Sequence, residues 1–402
     1  MKRFASKMLM ATFFMILSPH AFASRIAAGR DHTCAVMEQH SARTDGDRTF
    51  PRILCFGDNH GYQLGREGDG GPQPRDTALP TSEDILPLGQ AIHVSRITAG
   101  VAHSCALISG RAYCWGRMGR AMVKLPTLIR TMSGPLTGLV SIESGGSHAC
   151  GSTGSALYCW GDNTYGQLGN GSREPVTALM ARPVGDLSGT IEMLSLGLQH
   201  SCAVLRGGDA YCWGSNRTGQ LGVADENLLS SASPLRVSIP SSPRSLWIVS
   251  GDHHTCVTDG ERQWCWGDNH EGQLALSSDE DLFRQPQPNP IAVHVPRENW
   301  FYMASGDLTC FSRLFGDHQM TCWGNLESSL LPRDAQEVYY SSGTDAPGWI
   351  AYHFTVPGVR SGDDTLSLSM GSRHACVASS LGFSCWGDPG HGRTGDGSFG
   401  MM

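Results

Sequence analysis

"GDHHTCVTDGERQWCWGDNHEGQL", Gly251 to Leu274, sets Cys256 and Cys265 nine positions apart in a run of glycines, histidines and tryptophans. Folded as a β-hairpin with a two-residue loop, residues at this spacing stand directly opposite each other. Their Cα atoms are then about 4.5–5.5 Å apart, within reach of a disulfide. The loop would be Gly260-Glu261, with glycine first as a type II′ turn requires. Zinc sites use much closer cysteine pairs, and here apolar residues fill the interval, so no metal is expected. The stretch reads as a hairpin stapled to itself.

It recurs through the chain. The fourteen cysteines sort into seven successive pairs: Cys34 and Cys55, Cys105 and Cys114, Cys150 and Cys159, Cys202 and Cys212, Cys256 and Cys265, Cys310 and Cys322, Cys376 and Cys385. The first cysteine of six pairs closes G-x-x-H-[TSA]-C, from "GRDHTC" to "GSRHAC"; the sixth unit reads "SGDLTC" and has no histidine. The second opens C-W-G in six units and C-F-G in the first, and "CWGDNTYGQLG", "CWGSNRTGQLG" and "CWGDNHEGQLA" carry the fullest tails. Units two, six and seven keep fragments of that tail.

Gly154-Ser155 and Ser109-Gly110 also suit two-residue turns, Arg206-Gly207-Gly208 suits a three-residue one, and Ser380-Leu381 suits a turn poorly. Chain entropy assigns each short staple about 2–3 kcal/mol. Alternation puts each cysteine on one face of its strand and the adjacent tryptophan on the other, so each sheet must be covered on both faces. Repeated units of that kind stack into solenoids or close into propellers.

The G-x-x-H-[TSA]-C and C-W-G-x-N-x-x-G-Q-L-G elements resemble the repeats of the regulator-of-chromosome-condensation family, and they run from about residue 25 to 395. The resemblance implies an all-β, seven-bladed β-propeller, in agreement with the count of units. It further implies a binding scaffold, since members of that family exchange nucleotide on small GTPases, contact chromatin or, in exported bacterial relatives, inhibit β-lactamases. The cysteine pairs are an addition to the usual intracellular pattern. Separations of 36 to 54 positions link successive units, but only 17 residues follow Cys385 and 10 precede Cys34 after residue 23. The blade joining the termini should therefore be the thinnest.

Residues 1–23 carry Lys2, Arg3 and Lys7, the apolar run "MLMATFFMIL" and small residues at Ala21 and Ala23, which is the form of a secretory signal peptide cleaved after Ala23. Residues 24–402 then form one propeller domain, secreted or periplasmic, where cysteines pair by default. Losing three cations takes the net charge from −7 to −10. That balance disfavours nucleic acid and anionic lipid as partners. The expected state is a monomer without cofactor or membrane insertion, bound to another protein.

Chemistry has few footholds. His32, His103, His148, His200, His254 and His374 recur two positions before a cysteine, which fits buried groups bonded to backbone better than six copies of an active site. Asp58, Asp162 and Asp268 open the W-G-D-N or F-G-D-N turns and suit Asx bonding within them. Phosphate-loop, zincin and serine-hydrolase motifs are absent from the sequence, so no catalytic residues are assigned.

Departures from the repeat are the places to bind. Insertions read "EQHSARTDGDRTFPRI" after Met37, "SSDEDLFRQPQPNPIAVHVPRENW" after Leu276, and "LLPRDAQEVYYSSGTDAPGWIAYHF" from Leu330 to Phe354. The last concentrates Tyr339, Tyr340, Trp349, Tyr352 and Phe354, the candidate partner contact, because aromatics dominate interface hot spots. An equal alternative makes them an added strand on the blade edge. Guanine nucleotide exchange and carbohydrate or cell-wall binding stand as competing functions.

Overall fold

A computed structural model describes residues 25–40, 49–66, 75–80, 93–174, 179–225, 227–240, 245–276, 285–293, 301–312, 318–325, 330–332, 335–340, 349–359, 365–379 and 382–388. The expected signal segment, the Ser380-Leu381 turn, half of the first insertion and most of the second lie outside them.

The opening stretch builds the inner part of the fifth sheet. Strands Trp247–Ser250, His254–Thr258, Gln263–Gly267 and Gln287–Val293 pair in sequence order, each antiparallel to the last. Thr258 pairs with Gln263, and Gly260 takes φ +87° between them, as the turn demands. Six further sheets repeat this plan. Their innermost strands pack side by side around an axis, and Ile26–Ala28 lies against both Val94–Ala99 and Thr365–Met370, which closes the ring. The protein is a seven-bladed β-propeller.

In every blade the two cysteines are register partners, bonded to each other with Cα atoms 4.0–4.1 Å apart. The other turns follow the sequence too. Gly154 has φ +89°, and Gly207 and Gly208 carry φ +109° and +91° in the three-residue loop. Ser109 and Gly110 both lie at positive φ, +48° and +74°, as in a type I′ turn. The glycine of C-[WF]-G has φ between +94° and +116° in all seven units. A Cβ there would lie within 2.6 Å of the carbonyl oxygen that precedes the G-x-x-H histidine position, so only glycine lets the third strand bend away over the first turn.

The core is divided among the seams. Seven apolar clusters each join the disulfide face of one blade to the next blade. Trp115, Trp160, Trp213, Trp266 and Trp323, each at most 1% exposed, fill five of them from the following blade. At the closing seam the equivalent residue is Phe56, stacked on Phe383 with centroids 5.7 Å apart.

Two blades depart from the plan. Among the described residues blade seven has three strands. Blade six has five: Trp349–Thr355 supplies the ordinary outer strand, and Gln336–Tyr340 adds one beyond it.

Candidate functional site

The repeated histidines are wholly buried, and each that is bonded joins its blade to the next. His32 Nε2 shares a 2.8 Å hydrogen bond with Ser104 Oγ, His148 with Ser201, His200 with Thr255, His254 with Thr309, and His374 with Thr33. The partner of Nε2 is in each case a side-chain hydroxyl from the neighbouring unit. That hydroxyl donates to a main-chain carbonyl, as Ser104 Oγ does to Gln63 at 3.1 Å, and the same carbonyl accepts Trp115 Nε1 at 2.8 Å. Gln167, Gln220 and Gln273 serve Trp213, Trp266 and Trp323 alike. Burial drives the pKa of His32, His148 and His254 down to about 4, and that of His103 and His200 to about 3. Such neutral groups act as struts.

Two seams lack the bridge, in opposite ways. Between blades six and seven, Leu308 replaces the histidine and Ala375 the hydroxyl, and the two share one apolar cluster. Between blades two and three only the hydroxyl is lost, at Ala149, and unit two also lacks the G-Q-L-G tail. Both ring nitrogens of His103 and Nε1 of Trp160 are buried there with no partner among the described residues. One seam is matched and the other is not.

Asp58, Asp162 and Asp268 belong to their turns. Each accepts from the glutamine five residues on, at 2.8, 2.9 and 3.3 Å, and bonds His60, Thr164 or His270 two residues on. For Asp58, burial pushes the carboxyl up, but the bonds from His60 and Gln63 outweigh it and hold the group below its ordinary value. Inside the ring the innermost strands enclose a channel of about 320 Å³, with Arg96 paired to Glu143 at 2.7 Å. Among the described residues no three His, Cys, Asp or Glu side chains are grouped to hold a metal ion, and no helix is long and apolar enough to cross a membrane.

The blade-six insertion is a hairpin whose strands pair Tyr339 with Ile350 and Tyr340 with Trp349. Tyr339 is 60% exposed and Ile350 43%, so the outer hairpin shows an apolar pair to solvent. Tyr352, part-buried, donates from its hydroxyl to Glu337 at 3.3 Å. The side chains of Tyr340 and Trp349 lie outside the described set. Phe354 corrects the expectation: it is 3% exposed and packs in the core with Met320 and Trp386, so it holds the blade and cannot meet a partner. The insertion is thus both the added strand and the exposed surface, divided by residue. Ile350 was missed because it sits among aromatic neighbours and only the register sets it opposite Tyr339.

Models of the regulator of chromosome condensation (RCC1) repeat match residues 155–204, 207–258 and 139–167. The two longer matches run from the inner hairpin of one blade to the second strand of the next, so the family's repeat crosses a seam. The probable E3 ubiquitin-protein ligase HERC6 of Homo sapiens is 30% identical over 273 residues, 65% of this chain and 25% of that protein. The ultraviolet-B receptor UVR8 of Arabidopsis thaliana is 30% identical over 250 residues, 57% of this chain and 56% of the receptor. The chain thus spans between a quarter and about half the length of these relatives. Among solved structures, Prp20p from Saccharomyces cerevisiae superposes with a TM-score of 0.65 at 20% identity, covering 90% of this chain and 81% of Prp20p. Human WBSCR16 gives 0.64 at 16%, covering 86% and 84%.

Proposed function

Since the chain carries regulator-of-chromosome-condensation repeats closed into a seven-bladed ring, we propose that it is an exported, non-enzymatic scaffold that binds another protein through the blade-six insertion. The observation that carries this reading is the Tyr339 and Ile350 pair, exposed where the added strand Gln336–Tyr340 lies against the blade's own outer strand. A rigid blade pre-organises that hairpin and lowers the ordering cost of binding. Prp20p, of like fold, binds Gsp1p and histones, which supports the scaffold and leaves the partner here open. Seven disulfides and the leader-like residues 1–23 support export.

The test is affinity capture from the exported fraction of the source cells by the mature chain and by a Tyr339→Ser/Ile350→Thr double variant. Threonine suits a strand, and serine leaves a small polar side chain at an exposed edge position. One protein held by the natural chain and lost by the variant, at unchanged stability, is expected; equal capture would refute the assignment. Deleting residues 331–356 would be a poorer test, because it removes the paired strand Trp349–Thr355 and the core side chain of Phe354.

A further inference from the structure

Blade two carries a charge that the rest of the molecule does not. From Ile85 to Ile142 the chain has six Lys or Arg residues and no Asp or Glu, in a protein of net charge −7. Arg96 is paired with Glu143, but Arg111, Arg117, Arg120, Lys124 and Arg130 are all exposed. The cause is local. Unit two has lost its tail, so strand Arg111–Met118 turns at once through Gly119 and Arg120 into Ala121–Leu128, with Met118 paired to Ala121. The position after C-[WF]-G, which is Asp58, Asp162, Asp268 and Asp388 in four other units, becomes Arg117.

Register then gathers the exposed groups. Arg117 stands opposite Met122, and Lys124 follows two residues along the same strand, so all three share one face of the sheet. Met122 is 51% exposed. Lys124 Nζ lies 5.5 Å from the centroid of the Tyr62 ring, on the side of blade one. Neither Arg117 nor Arg120 has an ion-pair partner among the described residues, and strand Ala121–Leu128 pairs there only with Arg111–Met118. Among the described residues nothing pairs with its outer edge. Blade six supplies the internal precedent, because there the outer edge is covered by Gln336–Tyr340, a strand that carries Glu337.

We infer that the outer edge of blade two is a second docking surface, which takes an extended acidic segment of a partner protein as an added strand. Main-chain hydrogen bonds along Ala121–Leu128 supply the affinity, Arg117, Arg120 and Lys124 select acidic side chains, and Met122 takes an apolar one between them. An anionic lipid surface would meet the same charges but has no main chain to pair with the strand edge.

The experiment uses the full oxidised chain and fluorescein-labelled ten-residue peptides with alternating valine and glutamate, or valine and lysine, beside vesicles containing phosphatidylglycerol. Fluorescence anisotropy should show binding of the glutamate peptide alone, weakened about tenfold or more by Arg117→Glu/Lys124→Glu and falling with added salt. The reversed variant should acquire affinity for the lysine peptide, a gain that misfolding cannot produce. Indifference of peptide binding to the charge reversal, or charge-dependent binding of the vesicles in place of the peptide, would overturn the proposal. The Tyr339→Ser/Ile350→Thr chain should bind the glutamate peptide as the natural one does, so the two surfaces fail or stand separately.

Discussion

Position 149 shows what one hydroxyl does at a seam. His103 is buried with no partner among the described residues for either ring nitrogen because Ala149 stands where Ser104 and Ser201 meet the preceding blade's histidine. Replacing Ala149→Ser restores the missing group at a site whose equivalents already hold serine. We expect a gain of about 1 kcal/mol, read as a higher denaturation midpoint at unchanged m-value. An unchanged or lower midpoint would mean that His103 is satisfied in another way. The buried histidines also fix a pH dependence. In the unfolded chain they titrate near 6.5, whereas in the fold five of them are held down to about 3 or 4 by burial. The unfolded state therefore binds more protons between those values. Stability is complete above pH 6.5 and falls as the pH drops toward 4, by about 2 kcal/mol per histidine at pH 5. Denaturant titrations at pH 7.5 and 5 measure it, and equal midpoints would show that the imidazoles are solvated.

At the scale of the element, each hairpin is closed by a staple, and the staples differ in the length of chain they span. Cys34 and Cys55 are 21 positions apart, whereas Cys105 and Cys114 are 9 apart. Chain entropy then makes loss of the first more costly, by about 0.7 kcal/mol. Comparing the paired Cys→Ser variants of the two hairpins by denaturation checks this, and a larger loss at Cys105 and Cys114 would count against an entropic origin. These hairpins were legible in the sequence, since opposition of the cysteines, the glycine turns at Gly154 and Gly260 and the alternation of cysteine with tryptophan all follow from strand geometry. The outer strands were not. Arg182–Pro183 is two residues long and the blade-six hairpin reads as a loop rich in aromatics, because pairing at a blade's edge leaves no period of its own. The histidine partners are hidden in the sequence for another reason: they lie 53 to 72 positions away, and 341 at the closing seam. Successive units compared at one position would have exposed them, with Leu308 and Ala375 changing together.

Across the whole molecule, every disulfide lies within a blade, so no disulfide crosses a seam. The seam between blades seven and one rests on His374 with Thr33 at 2.6 Å, Ser369 Oγ accepting from the Ala28 amide at 2.9 Å, and the stacking of Phe56 on Phe383. It joins blade seven, three-stranded among the described residues, to the short strand Ile26–Ala28, and these two blades are not successive in the chain. Every other seam is crossed by the chain, which keeps the blades close when the packing loosens. This one should open first on heating. Native-state hydrogen exchange should therefore find Ile26–Ala28 and Thr365–Met370 the least protected of the inner strands, and strong protection there would defeat the idea. Thr33→Ala should lower that protection further, by about 1–3 kcal/mol, because it removes the hydroxyl that bonds the buried His374 imidazole across the seam. Adding His374→Leu recreates the apolar pair that nature uses between blades six and seven, and most of the loss should return. A double variant as weak as Thr33→Ala alone would show that the hydroxyl acts through its own blade and not through the seam.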